Sequence, residues 1–152
     1  VVAGVIEMVG HIGKYQQKKI EFNSADGILA SVNSQEIKQV VLNLLTNALD
    51  CVDDEDGIVR IELTRRHGFA ELTVTDNGCG MAEDVLEHVF EPFFTRRTVG
   101  QGTGLGLSIT HRIISDHGGE IEAHSDGPGL GATFRVRLPL VVDIHNANHR
   151  AA

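Results

Sequence analysis

The chain has 152 residues, 41% of them hydrophobic, enough for one buried core and too few for two comfortable domains. Its 13 Lys and Arg against 21 Asp and Glu leave a net charge of −8, which excludes a nucleic-acid phosphate backbone as the main partner. No apolar run approaches the roughly 20 residues of a membrane span, and the start lacks a basic region followed by an apolar segment and cleavage site. A soluble cytoplasmic domain is therefore expected, with no direct membrane contact of its own, and an anchor elsewhere in a parent protein stays open.

In chain order, residues 1–17 read as a linker or edge segment, and 20–22 and 28–32 as one or two short strands. Over 36–52 the apolar residues Ile37, Val40, Val41, Leu44, Leu45, Ala48, Leu49 and Val52 recur at the helical period, with Ser34 in the position of an N-cap. Val59, Ile61 and Leu63, then Ala70, Leu72 and Val74, alternate with polar residues on either side of His67-Gly68, predicting two strands and a turn. Glycines crowd between 77 and 106, so the apolar islands at 85–89 and 90–94 are expected in a long mobile loop. Leu105, Ile109, Ile113 and Ile114 predict a second core helix stopped by Gly118-Gly119. Ile121 and Ala123, then Phe134, Val136 and Leu138, predict two more strands, giving a sheet of at least four, and 141–152 reads as a disordered tail. Cys51 and Cys79 belong to no CxxC pattern and are expected reduced. The eight histidines show no HExxH or Cys/His cluster.

Three constellations carry chemistry. Asn43 and Asn47, four apart on the first helix, share a face with Glu36, Gln39 and Asp50; this is either a solvated polar face or a pair of amides serving a hard cation such as Mg²⁺. Asp76 continues the parity of Ala70, Leu72 and Val74, so a carboxylate is aimed at the core side and needs a donor. With Asn77-Gly78-Cys79-Gly80 behind it, the segment is either a strand-ending turn or an adenine site, since a carboxylate accepts from an exocyclic amino group and repels a guanine carbonyl. The run from Gly100 to Ser108, GQGTGLGLS, opens into the second helix, whose free amides and dipole favour phosphate oxygens. It has neither the P-loop ending nor a GxGxxG spacing, and Arg96 and Arg97 just upstream are surface charges or phosphate ligands.

The order NLLTNA at 43–48, DNGCGM at 76–81, FEPFFT at 90–95, GTGLGLS at 102–108 and GATF at 131–134 resembles the N box, first glycine box, F box, second glycine box and final glycine motif of sensor histidine kinase catalytic domains. The resemblance covers about 18–139. It implies the Bergerat-type ATP-binding fold shared with gyrase B, the ATP-dependent heat-shock chaperone and mismatch-repair ATPases: an α+β two-layer sandwich, its mixed, mostly antiparallel sheet carrying helices on one face. Residues 18–140 would be the ATP-binding catalytic domain, and 1–17 would follow a dimerisation domain. The resemblance further implies that Asp76 bonds the adenine amino group, that Gly78 and Gly80 shape the base pocket and that Met81 and Thr133 lie near the base. Asn47 would hold Mg²⁺ with Asn43 close by. Residues 83–106 would form an ATP lid, mobile over 95–104 without nucleotide, anchored by Phe93 and Phe94. Arg97, Gly102, Thr103, Gly104, Leu105 and Gly106 would meet the phosphates, and Asn43 and Arg97 are the candidate catalytic residues.

Three departures qualify this. Asp50 and Cys51 stand where many relatives have a basic and an aromatic residue, Gln101 replaces a frequent basic residue, and no histidine is followed by Glu or Asp, as a phosphoacceptor motif requires. The expected activity is donation of the γ-phosphate of MgATP to a histidine on a separate dimerisation domain, with a response regulator downstream. A hydrolytic ATPase of the same fold is opposed by Asn43, which stands where the hydrolytic branches carry a glutamate base. A nucleotide-sensing interaction domain, or a serine-directed anti-sigma kinase, is the remaining alternative.

Overall fold

The computed structural model describes residues 1–94 and 103–141. Helix α1 (Val2–Gly10) and a 3₁₀ turn (Gly13–Tyr15) lead into β1 (Lys19–Ser24) and the long helix α2 (Ser34–Cys51). β2 (Ile58–Arg66) and β3 (Phe69–Asp76) follow, then a short α3 (Glu83–His88), α4 (Gly106–Asp116), β4 (Glu120–His124) and β5 (Ala132–Pro139). The five strands lie in the order β1-β2-β3-β5-β4, with β1 parallel to β2 and every other pair antiparallel. The expected α+β architecture with a mixed sheet is what forms.

Alternation along the strands decides which face is covered. Val59, Ile61, Leu72, Val74, Phe134, Val136 and Leu138 are buried beneath the helices. The intervening residues pair across the open face, where Glu21 meets Lys19 and Arg60, and Arg135 and Arg137 meet Glu71, Glu120 and Glu122. Hydrogen bonds from Lys19 and Arg60 hold the exposed Glu21 carboxyl at about 2. Such solvated pairs keep the face polar and add little stability. Between β2 and β3, His67 and Gly68 both take positive φ (48° and 85°), the two-residue turn whose twist matches the flanking strands. Residues 28–32 contribute only a single bridge, Ala30 to Leu140.

On α2 the apolar stripe from Ile37 to Leu49 is buried as its spacing predicts. The cap lies one residue earlier than expected: the Asn33 side chain accepts from the Gln35 and Glu36 amides at 3.0 and 3.2 Å, and Ser34 is the first helical residue. Both are capping residue types, so composition could not choose between them. At the other end the Lys18 ammonium donates to the Leu49 and Val52 carbonyls at 2.7 and 2.8 Å, a cation placed on the negative end of the helix.

Helix α4 runs antiparallel to α2 and is tied to it at both ends. The Asn43 amide donates to the Gly106 carbonyl at 3.0 Å and to the Thr110 hydroxyl at 3.2 Å, while its oxygen accepts from Gln39 at 2.8 Å. At the far end the Asn33 amide donates to His117 Nε2 at 3.0 Å. The stop predicted for α4 is present: Gly118 adopts φ 69°, and the amides of Gly118 and Gly119 return to Ser115 and Ile114.

Two expectations are corrected. Residues 1–17, read as a linker, contain α1, whose Val2, Val5 and Val9 join Tyr15 in the main core. Glycines at 4 and 10 and a valine-rich run argue against a helix from propensity, and no side chain caps its N-terminus, so burial against α2 is what chiefly supports it. The loop expected at 77–106 contains α3, and Val89 behind it is buried.

Two substitutions test this packing. Val9→Ala should cost about 2 kcal/mol in denaturant unfolding, from two buried carbons and the space they leave, whereas a linker position would stay within about 0.5 kcal/mol. Asn43→Asp replaces a donating amide by an acceptor facing the Gly106 carbonyl and should cost about 1–3 kcal/mol by the same measurement. Wild-type stability in Asn43→Asp would show that the clasp between α2 and α4 contributes nothing.

Candidate functional site

A cavity of about 550 Å³ opens where the second half of α2, the end of β3, α3, the start of α4 and the start of β5 converge. That volume falls in the range of small-molecule sites. In its lining stands Asp76, with only 7% of its surface exposed. The strand parity read from the sequence places it there, beside Met81, Val85 and Phe134. Burial pushes the Asp76 carboxyl above its ordinary range, and backbone hydrogen bonds from Gly78, at 2.8 Å, and Ala132 oppose that rise. The result is a carboxylate in an apolar setting with acceptor capacity left over, suited to a hydrogen-bond donor of a ligand.

The loop after Asp76 is held from three directions. The Cys79 amide donates to the Cys51 carbonyl at the end of α2, at 3.0 Å. The amides of Gly129 and Gly131, in the β4–β5 connection, donate to the Cys79 and Gly78 carbonyls at 2.7 and 3.1 Å. The Ser125 hydroxyl accepts from the Met81 amide at 2.9 Å and donates to the Gly131 carbonyl at 2.7 Å. Gly80 has φ 59°, and a β-carbon there would overlap the Gly127 carbonyl, so this turn requires glycine. Asn77 faces away, bridging the Ile58 amide and the Asp56 carbonyl.

Another part of the lining is the start of α4. Gly104, Gly106 and Leu107 contribute to it, no side chain among the described residues caps the helix, and free amides at a helix start favour an anion. Gly104 takes φ 68°, and a β-carbon there would lie 2.6 Å from the Phe93 backbone, so Gly104 packs closely against Phe93. Asn47 contributes an amide to the wall. Among the described residues no group of three or more His, Cys, Asp or Glu could hold a metal ion.

Of the nominated residues, Asn47, Asp76, Gly80, Met81, Phe94, Thr103, Gly104 and Gly106 line this one cavity. Asn43, Gly78, Leu105 and Thr133 do not. Asn43 is spent on the α2–α4 clasp, which fixes the start of α4. Gly78 acts from behind through its amide, and a β-carbon there would overlap the Cys51 carbonyl. Thr133 lies on the open side of β5, its hydroxyl 3.1 Å from that of Thr75, and Ala132 takes the place beside the site. That correction was readable: Ala132, not Thr133, shares the parity of Phe134. Phe93 is 75% exposed at φ 64°, so it does not anchor the segment; Phe90 does, its ring edge-on to Phe134 at 6.3 Å and beside His111 at 5.5 Å. Arg96, Arg97, Gln101 and Gly102, with most of the 95–104 stretch, lie outside the described residues, as do 142–152.

The sequence reading missed several walls of the cavity. Val85, Val89, Leu107 and Phe134 supply apolar surface, and Cys51 and Cys79 supply thiols. Asp50 lines the cavity too, accepting from the Tyr15 hydroxyl at 2.8 Å and the Lys14 ammonium at 3.1 Å, which links the N-terminal segment to the wall. Cys79, Leu107 and Phe134 lie within the sequence motifs but have no role assigned by them; Asp50, Cys51, Val85 and Val89 stand in none of them, and only the meeting of distant elements brings them to the cavity.

Comparison with known proteins agrees with this geometry. Residues 32–142 match the family described as histidine kinase-, DNA gyrase B- and HSP90-like ATPases. The chain is 46% identical over 114 residues to the C4-dicarboxylate transport sensor protein DctB of Rhizobium meliloti, covering 74% of this chain and 18% of that protein. It is 32% identical over 136 residues to the sensor histidine kinase ZraS of Escherichia coli, covering 89% and 28%. It thus spans only 18% and 28% of the length of these two curated relatives. Among solved structures, a mycobacterial sensor histidine kinase, MprB, superposes with a TM-score of 0.82 at 27% identity over 91% of this chain and 93% of that one. The catalytic domain of histidine kinase ThkA superposes with a TM-score of 0.78 at 31% identity, over 91% and 89%. No helix among the described residues is long and apolar enough to cross a membrane. Motif order, sheet topology, cavity and similarity converge, and the chain belongs to the histidine kinase-, DNA gyrase B- and HSP90-like ATPase family.

Proposed function

We propose that this chain is the ATP-donating domain of a sensor histidine kinase, which binds MgATP and presents its γ-phosphoryl to a histidine on a separate dimerisation domain. A response regulator would then receive the phosphoryl group from that histidine. The observation that carries the reading is one cavity lined both by the buried Asp76 carboxylate and by the N-terminus of α4, which no described side chain caps. A ligand satisfying both must present a hydrogen-bond donor at one end and anionic oxygens at the other, as adenine and a polyphosphate do.

In this reading Asp76 accepts from the adenine amino group and Met81, Val85 and Phe134 enclose the base. The amides opening α4 at Gly106 and Leu107, with Gly104 allowing close approach, hold phosphate oxygens. Asn47 would hold Mg²⁺ through its amide oxygen, with phosphate oxygens and water supplying the remaining ligands, a donor set this cation accepts. When bound, Mg²⁺ neutralises the phosphates and lowers the cost of charge moving between them. Arg97 is the proposed further phosphate charge. The chain's part in phosphoryl transfer is then placement and neutralisation, which dominate the barrier of such reactions.

Transfer is favoured over hydrolysis by the state of Asn43. Its amide is engaged by Gly106, Thr110 and Gln39, so the position supplies no base to a water molecule. The nucleotide would therefore persist until an imidazole arrives.

Replacing Asp76 by Asn separates affinity from stability. ATP affinity should fall about 10- to 100-fold by calorimetry, the equivalent of one mismatched buried hydrogen bond. The ligand-free variant should unfold at the same temperature as the wild type or higher at neutral pH. The sign follows from the raised folded value of Asp76: the stability it contributes is fully present below the ordinary carboxylate value and lost as pH rises through the folded one. Wild-type ATP affinity in a folded Asp76→Asn chain would overturn the adenine assignment.

Given γ-labelled ATP, the chain alone should acquire no acid-labile label and release phosphate slowly. Adding a dimerisation domain that bears the acceptor histidine should produce the label on that domain. Self-labelling, or rapid phosphate release without acceptor, would overturn the division of labour.

A further inference from the structure

The cavity holds two thiols that phosphoryl transfer does not use. Cys79, exposed, lies in the loop between Asp76 and Gly80, and Cys51, half-buried, ends α2; both line the same cavity, and neither is in a disulfide. Their backbones are joined by the hydrogen bond from the Cys79 amide to the Cys51 carbonyl at 3.0 Å. With ordinary covalent bond lengths on either side of that single bond, the two α-carbons lie no more than about 6.5 Å apart, within the roughly 4.4–6.8 Å that a disulfide spans. The Cys79 carbonyl is held in turn by the Gly129 amide at 2.7 Å, so the exposed thiol rides on a fixed loop.

We infer that Cys79 and Cys51 form a thiol-modification site inside the cavity, in which Cys79 is capped by low-molecular-weight disulfides and Cys51 resolves the cap into an internal disulfide. The exposed Cys79 meets the reagent first. Its thiolate attacks one sulfur of the reagent disulfide, a bond forms between Cys79 Sγ and that sulfur, the reagent's S–S bond breaks, and the departing thiolate takes up a proton. Cys51, too enclosed to meet the reagent as readily, then attacks Cys79 Sγ as its own thiolate and expels the second reagent thiol. In sum, two protein thiols are oxidised to one disulfide and one reagent disulfide is reduced to two thiols. The cap stands beside Asp76, so it and the base would exclude each other; this consequence, unlike the thiol chemistry, rests on the nucleotide reading above.

The test treats the reduced chain with 2-hydroxyethyl disulfide and follows intact mass and disulfide-mapped peptides, with and without saturating MgATP. The wild type should pass through a mixed disulfide at Cys79 to a Cys51–Cys79 bond, and Cys51→Ser should stop at the mixed disulfide. In Cys79→Ser, Cys51 should react about tenfold more slowly than Cys79 does in Cys51→Ser. Bound MgATP should slow the capping of Cys79 about tenfold or more. Failure of Cys79 to react, a mixed disulfide that persists in the wild type, or an unchanged capping rate in chain shown to be MgATP-bound would overturn the inference. A separate titration of the reduced chain keeps the two proposals apart: absence of MgATP binding there defeats the nucleotide reading, while the mass data still decide the thiol site.

Discussion

An ionisable carboxylate set into the edge of a hydrophobic core is costly, and the surroundings of Asp76 are arranged around that cost. Strand β3 drives its alternate residues inward, and the last of them is not apolar. Two backbone amides partly offset the desolvation, one from Gly78 immediately after the strand and one from Ala132 on the neighbouring strand. For the first of these to reach back, the chain must turn tightly with no side chain at Gly78, and for the second β5 must begin at that height in the sheet. The glycine loop, the β4–β5 connection and the end of α2 are thereby laced together, and the cavity is the space they cannot fill.

The second arrangement on which the site depends is the placement of α4. Glycine-rich entry to a helix is a poor structural element by itself, because it pays backbone entropy without burying side chains. Asn43 compensates from the facing helix by gripping the Gly106 carbonyl and the Thr110 hydroxyl, so the free amides of α4 are presented at a fixed point along α2. The same side chain thus belongs to the fold and, in the function proposed above, would also separate donating a phosphoryl group from spending it on water. Asn47, one turn later, remains on the cavity wall.

The N-terminal segment connects to this site as well as to the core. α1 buries three valines, Tyr15 is buried with its hydroxyl on Asp50, and Lys18 closes the end of α2 at Leu49 and Val52. Movement of residues 1–18 would be felt at Asp50 and Cys51, both on the cavity wall, because the contacts are short and directional.

Local periodicity sufficed wherever a segment's own chemistry dictated its partner. The buried stripe of α2, the His67-Gly68 turn, the Gly118 stop of α4 and the inward aim of Asp76 are all properties of neighbouring residues, and each formed as its spacing required. Motif order carried the family and the general position of the cavity. What local sequence could not decide were matters settled by contacts between distant segments. α1 is helical because α2 offers its valines a surface, against their intrinsic preference, and α3 forms where glycine content alone argued for a loop. Asn43 faces α4 instead of the cavity because Gly106 and Thr110 arrive there from more than 60 residues away, a pairing that no helical wheel contains.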